Sequence, residues 1–223
     1  MANYKIPIPY TKLKEGGLSS SQSDLAKAHP APCGNGKNGF PYHTNKGIQY
    51  QTFSSNATKL GYVNSCDNFL KMPDAIWSKI FKSIYWDAIQ GDKIINQAIA
   101  NTFVEWDWGS GPSGATTSLK KFFKQTYDVD LKNNTEIVDF VNDLDKNKKS
   151  AELFEALFNY RKGILQNYNQ PSNIKGWLAR LDSFYLFNKP YAIAQSTKIT
   201  AGVVGGLVII TFIGIKIWKR QQT

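Results

Sequence analysis

Glu15 is followed by Gly16 and Gly17, and the stretch Tyr10–Glu15 reads as one or two helical turns. A glutamate at a helix C-terminus faces the negative end of the dipole, which favours its protonated form. A carboxyl protonated near neutral pH is what general acid catalysis needs. Gly16 and Gly17 let the chain leave the helix and let a bulky ligand approach the carboxyl. Asp24 follows nine residues later and is the only acid between Glu15 and Thr44. A second carboxylate across a cleft activates water or stabilises a cationic transition state, as in glycoside hydrolysis. Asp24 reads equally well as the cap of a short helix from Leu25 to Ala28. Thr44 is a candidate for orienting a water through its hydroxyl, or is a plain strand residue. Tyr42, His43 and Asn45 are candidate subsite residues, because aromatic faces stack on sugars and amides bond their hydroxyls. His43 reads also as an ordinary turn histidine.

Other chemistries lack an anchor. His29 and His43 are the only histidines, and Cys33 and Cys66 do not have CxxC spacing. A zinc site would need all four to converge, so no metal is expected. No GxSxG, GxxxxGK[ST] or GxGxxG occurs, which leaves nucleophilic triads and phosphate loops without support. No nucleic-acid motif accompanies the basic charge. Cys33 and Cys66 bridge if the body lies outside the cytoplasm and stay reduced and buried if it does not.

The elements that would hold these residues are mainly helical. Residues 16–66 are rich in Gly, Ser, Asn and Pro and read as loops with a short hairpin. From Pro73 the apolar spacing becomes helical. Asp74 is the expected cap of a helix with Trp77, Ile80, Phe81, Ile84 and Ala88 on one face. Asp92 is the expected cap of a second helix, with Ile95, Ile99, Phe103 and Trp106. Further helices are expected around Leu119–Phe123, over Thr135–Leu144, over Glu152–Gln166 and over Ser172–Tyr185. Gly109–Gly114 separates the second from the third.

The chain has 223 residues, with 27 Lys and Arg against 17 Asp and Glu, a net charge of +10. Two cysteines are too few for a disulfide-stapled mini-fold, and the aromatic content is too high for a disordered chain. Residues 1–15 contain Pro7 and Pro9 and no apolar stretch, so no secretory signal is expected there. Ile199–Ile215 is a run of 17 residues without a charge, preceded by Lys198 and followed by Lys216, Trp218, Lys219 and Arg220. A span needs about 20 apolar residues, and snorkelling lysines with an interfacial Trp extend a short one. A single transmembrane helix is expected there. Gly202 and Gly206 form a GxxxG within it. The positive-inside rule puts the basic tail in the cytoplasm and the body outside, and no export signal accounts for that placement. Without the four flanking bases the body carries 23 bases against 17 acids. That surplus suits an anionic cell wall better than nucleic acid.

The ordered motifs resemble those of the glycoside hydrolase family 108 N-acetylmuramidases. They are Glu15-Gly16-Gly17, the acid nine residues later, and Thr44-Asn45-Lys46-Gly47-Ile48. The resemblance continues through Tyr85-Trp86-Asp87, Ile94-Ile95-Asn96-Gln97, Trp106-Asp107-Trp108-Gly109-Ser110-Gly111 and Gly176-Trp177-Leu178-Ala179-Arg180. It implies that Glu15 is the catalytic acid, with Asp24 and Thr44 beside it and Gly16, Gly17, Tyr42, His43 and Asn45 toward substrate. It implies a lysozyme-like α+β fold, mainly helical, with a small loop and hairpin lobe and a peptidoglycan-binding-type helical body. The chain departs from the family's common form in the longer segment between Glu15 and Thr44, and in Pro112-Ser113-Gly114 after Gly111.

The expected organisation is a catalytic lobe over 1–72, a helical lobe over 73–187, a linker over 188–198, a span over 199–218 and a basic tail over 219–223. The expected function is cleavage of the β-1,4 bond between N-acetylmuramic acid and N-acetylglucosamine, with no cofactor. Expected partners are peptidoglycan, a membrane through the C-terminal helix, and a lysis or envelope-crossing assembly, with no nucleic acid. The expected location is the inner membrane, single-pass, with the body facing the wall. The alternative is a non-catalytic peptidoglycan-binding membrane tether.

Overall fold

The computed structural model describes residues 1–111, 114–168 and 171–194. The fold is mainly helical with one small three-stranded sheet. Helix α1 (Pro7–Lys14) leads into β1 (Leu18–Ser19), and a 3-10 turn (Leu25–Ala28) follows. Strands β2 (Thr44–Asn45) and β3 (Ile48–Gln49) form a hairpin, and β1 pairs antiparallel with β2, Leu18 opposite Asn45. Helix α2 (Tyr50–Asn56) lies in the segment 16–66 whose composition suggested loops, and α3 (Cys66–Lys71) starts at its end. Phe53 and Phe69, both fully buried, anchor these two short helices in the core. Cys33 and Cys66 form a disulfide that ties the long loop after Asp24 to α3.

Helix α4 (Asp74–Ile80) continues into a π-helical turn over Phe81–Trp86. Asp74 lies in the first turn of α4 and does not cap it; its carboxylate pairs with Lys12 of α1 instead. Asp92 does not cap α5 (Gln97–Ser110) either. That cap is Asn96, whose side chain accepts from the amides of Ala98 and Ile99, while Asp92 accepts from Trp86 Nε1. Helix α4 begins after Pro73 with no side-chain cap, whereas α5 takes its cap from Asn96, nearer the first turn than Asp92.

Helices α6 (Gly114–Tyr127), α8 (Ser150–Gln166) and α9 (Pro171–Ala194) pack on α5, and α7 (Asn134–Lys146) packs on α6 and α8. Residues 97–107 of α5 are all buried, so α5 is the central helix rather than a surface one. Residues 188–194, expected as linker, are instead the end of α9. Asn188 is fully buried there and accepts from Asn101 Nδ2 of α5 at 2.8 Å. Burying a polar side chain is tolerable only with such partners, and here they hold the helix end against the core. The apolar run 199–215 lies outside the described residues. Among the described residues, no helix is long and apolar enough to cross a membrane.

Candidate active site

Glu15 is the C-cap of α1, and its amide bonds the carbonyls of Thr11 and Lys12. Its backbone is extended (φ −89°, ψ 139°), which turns the side chain away from the helix axis. The side chain is 13% exposed. Trp108 Nε1, on α5, donates to Glu15 Oε1 at 2.9 Å. Arg180 Nη1, on α9, lies 2.7 Å from the same oxygen. Both partners can only donate. Oε1 is therefore occupied by two donors, and a proton on this carboxyl belongs on Oε2.

Oε2 lies over Gly47. A Cβ on Gly47 would sit 2.5 Å from Oε2, 2.7 Å from Glu15 Cδ and 2.8 Å from the Trp108 ring. Lys46 and Gly47 have φ of +46° and +78° and form the two-residue connection between β2 and β3. Positive φ at both central residues is what a tight hairpin turn requires, and it suits glycine. The Thr-Asn-Lys-Gly-Ile motif is thus a hairpin whose glycine is a seat for the Glu15 carboxyl. The hairpin is bolted down from below. Lys46 Nζ donates to the Met72 carbonyl at 2.9 Å, and the Lys46 carbonyl accepts from Trp77 Nε1 at 2.8 Å.

A cleft of about 440 Å³ opens at this corner, lined by Lys12, Glu15, Gly16, Gly17, Lys46 and Asp74. A Cβ on Gly16 or Gly17 would meet nothing within 4 Å, so the approach to Glu15 is open. Asp74 is 78% exposed and paired with Lys12 at 2.9 Å. The hydrogen bond and charge of Lys12 hold the Asp74 carboxyl below its ordinary range. The Trp108 ring that holds Glu15 is itself packed among aromatics, its centre 5.2 Å from Trp77, 5.6 Å from Phe81 and 4.7 Å from Tyr85.

Behind Glu15 is a charged cluster. Arg180 Nε and Nη2 donate to Glu105 Oε1 and Oε2 at 2.9 and 3.4 Å. Glu105 is 3% exposed. Burial works against the Arg180 charge, but Glu105 first and Glu15 second more than offset it, and the guanidinium is held above its ordinary value. Arg161 of α8 stands behind Glu105, donates to its backbone carbonyl at 3.4 Å and lies over the Trp106 ring. Burial pushes Arg161 down, with the Glu105 charge opposing it. Tyr10 of α1 donates its hydroxyl to the Arg180 carbonyl at 3.0 Å, which fixes α1 on α9.

The remaining sequence candidates are divided by the fold. Asp24 caps the 3-10 turn, its Oδ1 accepting from the Ala26 amide at 2.9 Å. It does not line the Glu15 cleft. His43 is fully buried, so it is not a subsite residue. Its Nε2 faces the Ser21 carbonyl at 3.1 Å and its Nδ1 faces Thr44 Oγ1 at 2.9 Å. A carbonyl only accepts, so a neutral His43 carries its proton on Nε2 and accepts from the Thr44 hydroxyl. Asn45 points into the core as well, its Nδ2 donating to the carbonyls of Phe69 and Leu70 at 2.7 and 2.9 Å. Strand alternation explains the reversal: in a two-residue strand one of two neighbours must face inward. Tyr42 is half-buried and packs its ring on Gly34. Among the described residues, no three His, Cys, Asp or Glu side chains converge as a metal site.

Residues 8–111 match the family model of glycosyl hydrolase 108. This stretch is a glycoside hydrolase domain. The solved structure of SagA from Brucella abortus is similar in fold, with a TM-score of 0.57 and 19% identity over 88% of this chain and 97% of that one. No curated protein matches the chain. The match to the glycosyl hydrolase 108 model ends at residue 111, yet Arg180, which touches Glu15, lies beyond it.

Arg180, Trp108, Glu105 and Gly47 were not singled out for roles by sequence reasoning. Trp108, Gly47 and Arg180 each lie inside a stretch that carried the family resemblance. Membership in those stretches is the signal that points to them; Glu105, one residue before Trp106, has only that adjacency.

Proposed function

We propose that the chain is a peptidoglycan muramidase in which Glu15 protonates the glycosidic oxygen. The observation that supports this best is the Glu15 carboxyl itself. One oxygen is held by Trp108 and Arg180, and the other faces an open cleft over Gly47. An acid fixed in this way presents one proton in one direction, which is the positioning that general acid catalysis needs.

The second carboxylate in this reading is Asp74. It lines the same cleft and is kept ionised by Lys12, whereas Asp24 is engaged in capping. An ionised carboxylate facing the sugar can activate water or stabilise the oxocarbenium-like transition state. Thr44 has its hydroxyl on His43 Nδ1 and is not among the residues lining the cleft, so it has no part in this reading. The cleft is flanked by Lys12 and Lys46, which suits the lactyl carboxylate and peptide carboxylates of peptidoglycan strands. The apolar run over 199–215, with its basic flanks, would anchor the enzyme to the inner membrane with the body toward the wall, in a lysis or envelope-crossing assembly.

The test is release of reducing ends from purified peptidoglycan by the full chain. Glu15→Gln is expected to abolish release while wall binding persists, and Asp74→Asn to lose more activity than Asp24→Asn. Wild-type binding without release would instead support the tether, and an active Glu15→Gln variant would remove the assignment. A reporter fused after Thr223 reads the topology: a cytoplasmic signal is expected, and a periplasmic one overturns the orientation.

A further inference from the structure

Glu15 is touched by a residue far beyond the matched stretch 8–111. Arg180 gives one guanidinium edge to Glu105, through Nε and Nη2, and its remaining nitrogen, Nη1, to Glu15. Arg161 lies behind Glu105, and Tyr10 fixes the Arg180 backbone. The other charged groups at this corner are Lys12, Lys46 and Asp74 around the cleft. Lys12 is paired with Asp74, and Lys46 is bonded to a backbone carbonyl. Tyr85 and Asp107 stand on the aromatic side, where Glu15 and Asp107 both act on Tyr85.

The charge sum over the inner cluster is informative. With Glu15 protonated, Arg180 and Arg161 outnumber Glu105, and the cluster carries one excess positive charge. When the proton passes to the leaving oxygen, Glu15 becomes a carboxylate and the cluster is neutral. The guanidinium contact on Oε1 therefore strengthens as the proton leaves. Interactions that are stronger in the transition state than in the ground state are the ones that speed the chemical step. Glu105 has the complementary task. It takes two of the three Arg180 contacts and so limits how strongly Arg180 favours the Glu15 carboxylate before reaction.

We propose that Arg180 and Glu105 are positioning residues that set the acid strength of Glu15, so that the helical region beyond the matched domain completes the active site. This rests on Glu15 being the general acid. Arg180 does not line the cleft and acts through Glu15.

The experiment is the pH dependence of kcat/KM for the full chain on solubilised peptidoglycan strands, with folding of each variant checked by circular dichroism. Glu105→Gln leaves Arg180 uncompensated beside Glu15, and the basic limb is expected to move about one unit toward acid. The double variant Glu105→Gln/Arg180→Met removes both partners of that ion pair and leaves Arg161 bonded to the backbone carbonyl of residue 105 without its counter-charge. Its basic limb is expected to move about one unit toward alkaline pH, with kcat down about ten- to a hundredfold, the size of one charge-assisted hydrogen bond. Arg180→Lys keeps a cation near Glu105 but cannot fork to both acids. It is expected to keep the fold, move the limb toward alkaline pH and recover part of the lost kcat. A merely structural role would lower activity in all three without moving the limb in opposite directions, and that result overturns the proposal. If Glu105→Gln does not fold, the Arg180→Lys limb decides alone: no shift overturns it. If the wild-type chain releases no reducing ends, the muramidase reading fails instead.

Discussion

Glu15 and Asp107 are two acids set against the same aromatic wall, and the protein treats them in opposite ways. Glu15 has two donors on one oxygen and open space before the other. Asp107, on the turn of α5 next to Trp108, is fully buried, and among the described residues neither oxygen has a hydrogen-bond partner in good geometry. Burial pushes the Asp107 carboxyl up to about 7, with only the Ala115 amide acting against it. The difference lies in partners rather than depth. A carboxyl with donors on one side and a cleft on the other has a reacting face, whereas a carboxyl enclosed without partners has only a desolvation penalty.

Three substitutions sharpen that contrast, each judged by activity on peptidoglycan and by melting. The largest effect is expected at the Glu15 seat. Gly47→Ala drives a methyl into the carboxyl and the Trp108 ring from a backbone at φ +78°. A misplacement of about 1 Å can reduce turnover about a hundredfold, so a loss of that order is expected with the helical content retained. A fully active variant would show that the hairpin does not hold the acid. Next is Trp108→Phe, which keeps the ring and deletes the donor. A single neutral-donor hydrogen bond is worth about tenfold or less, and the loss should appear in kcat more than in KM.

The smallest effect on activity is expected at Asp107, where the readout is stability. A carboxyl whose folded value lies above its unfolded value binds its proton more tightly in the native state. Its contribution is fully present below the unfolded value, near 3.8, and is lost as pH rises through about 7. Wild-type melting temperature should therefore fall between mildly acidic and neutral pH by an amount reflecting on the order of a few kcal/mol. Asp107→Asn should flatten that slope and melt higher at neutral pH. An unchanged slope would mean that another group titrates.

The same contrast separates what was legible in the sequence from what was not. Local signals worked. The end of α1 at Glu15, the capping role of Asp24 and the helices from α6 to α8 follow from spacing and short-range hydrogen bonds, which one sequence contains. The partners of Glu15 do not. Trp108 and Arg180 reach it across 93 and 165 positions, and no periodicity encodes such a meeting. The inward turn of His43 and Asn45 was hidden for a related reason. A two-residue strand is too short to show alternation, so which neighbour faces the core is decided by α3 and by the loop at Ser21. Asp74 was misread because its helical position was correct while its bond ran to α1 instead of its own helix.

The distance in sequence between Glu15 and Arg180 also has a consequence in time. Chains are made from the N-terminus at roughly 5–20 residues per second, so the acid and its Gly47 seat emerge well before Arg180 does. Helix α1 rests on α9 through the Tyr10 hydroxyl and ring contacts with Phe184 and Phe187. The first helix, which also pairs with α4 through Lys12 and Asp74, therefore lacks these contacts until the last described helix is available. During synthesis the Glu15 carboxyl is thus without its Arg180 partner until α9 has been made.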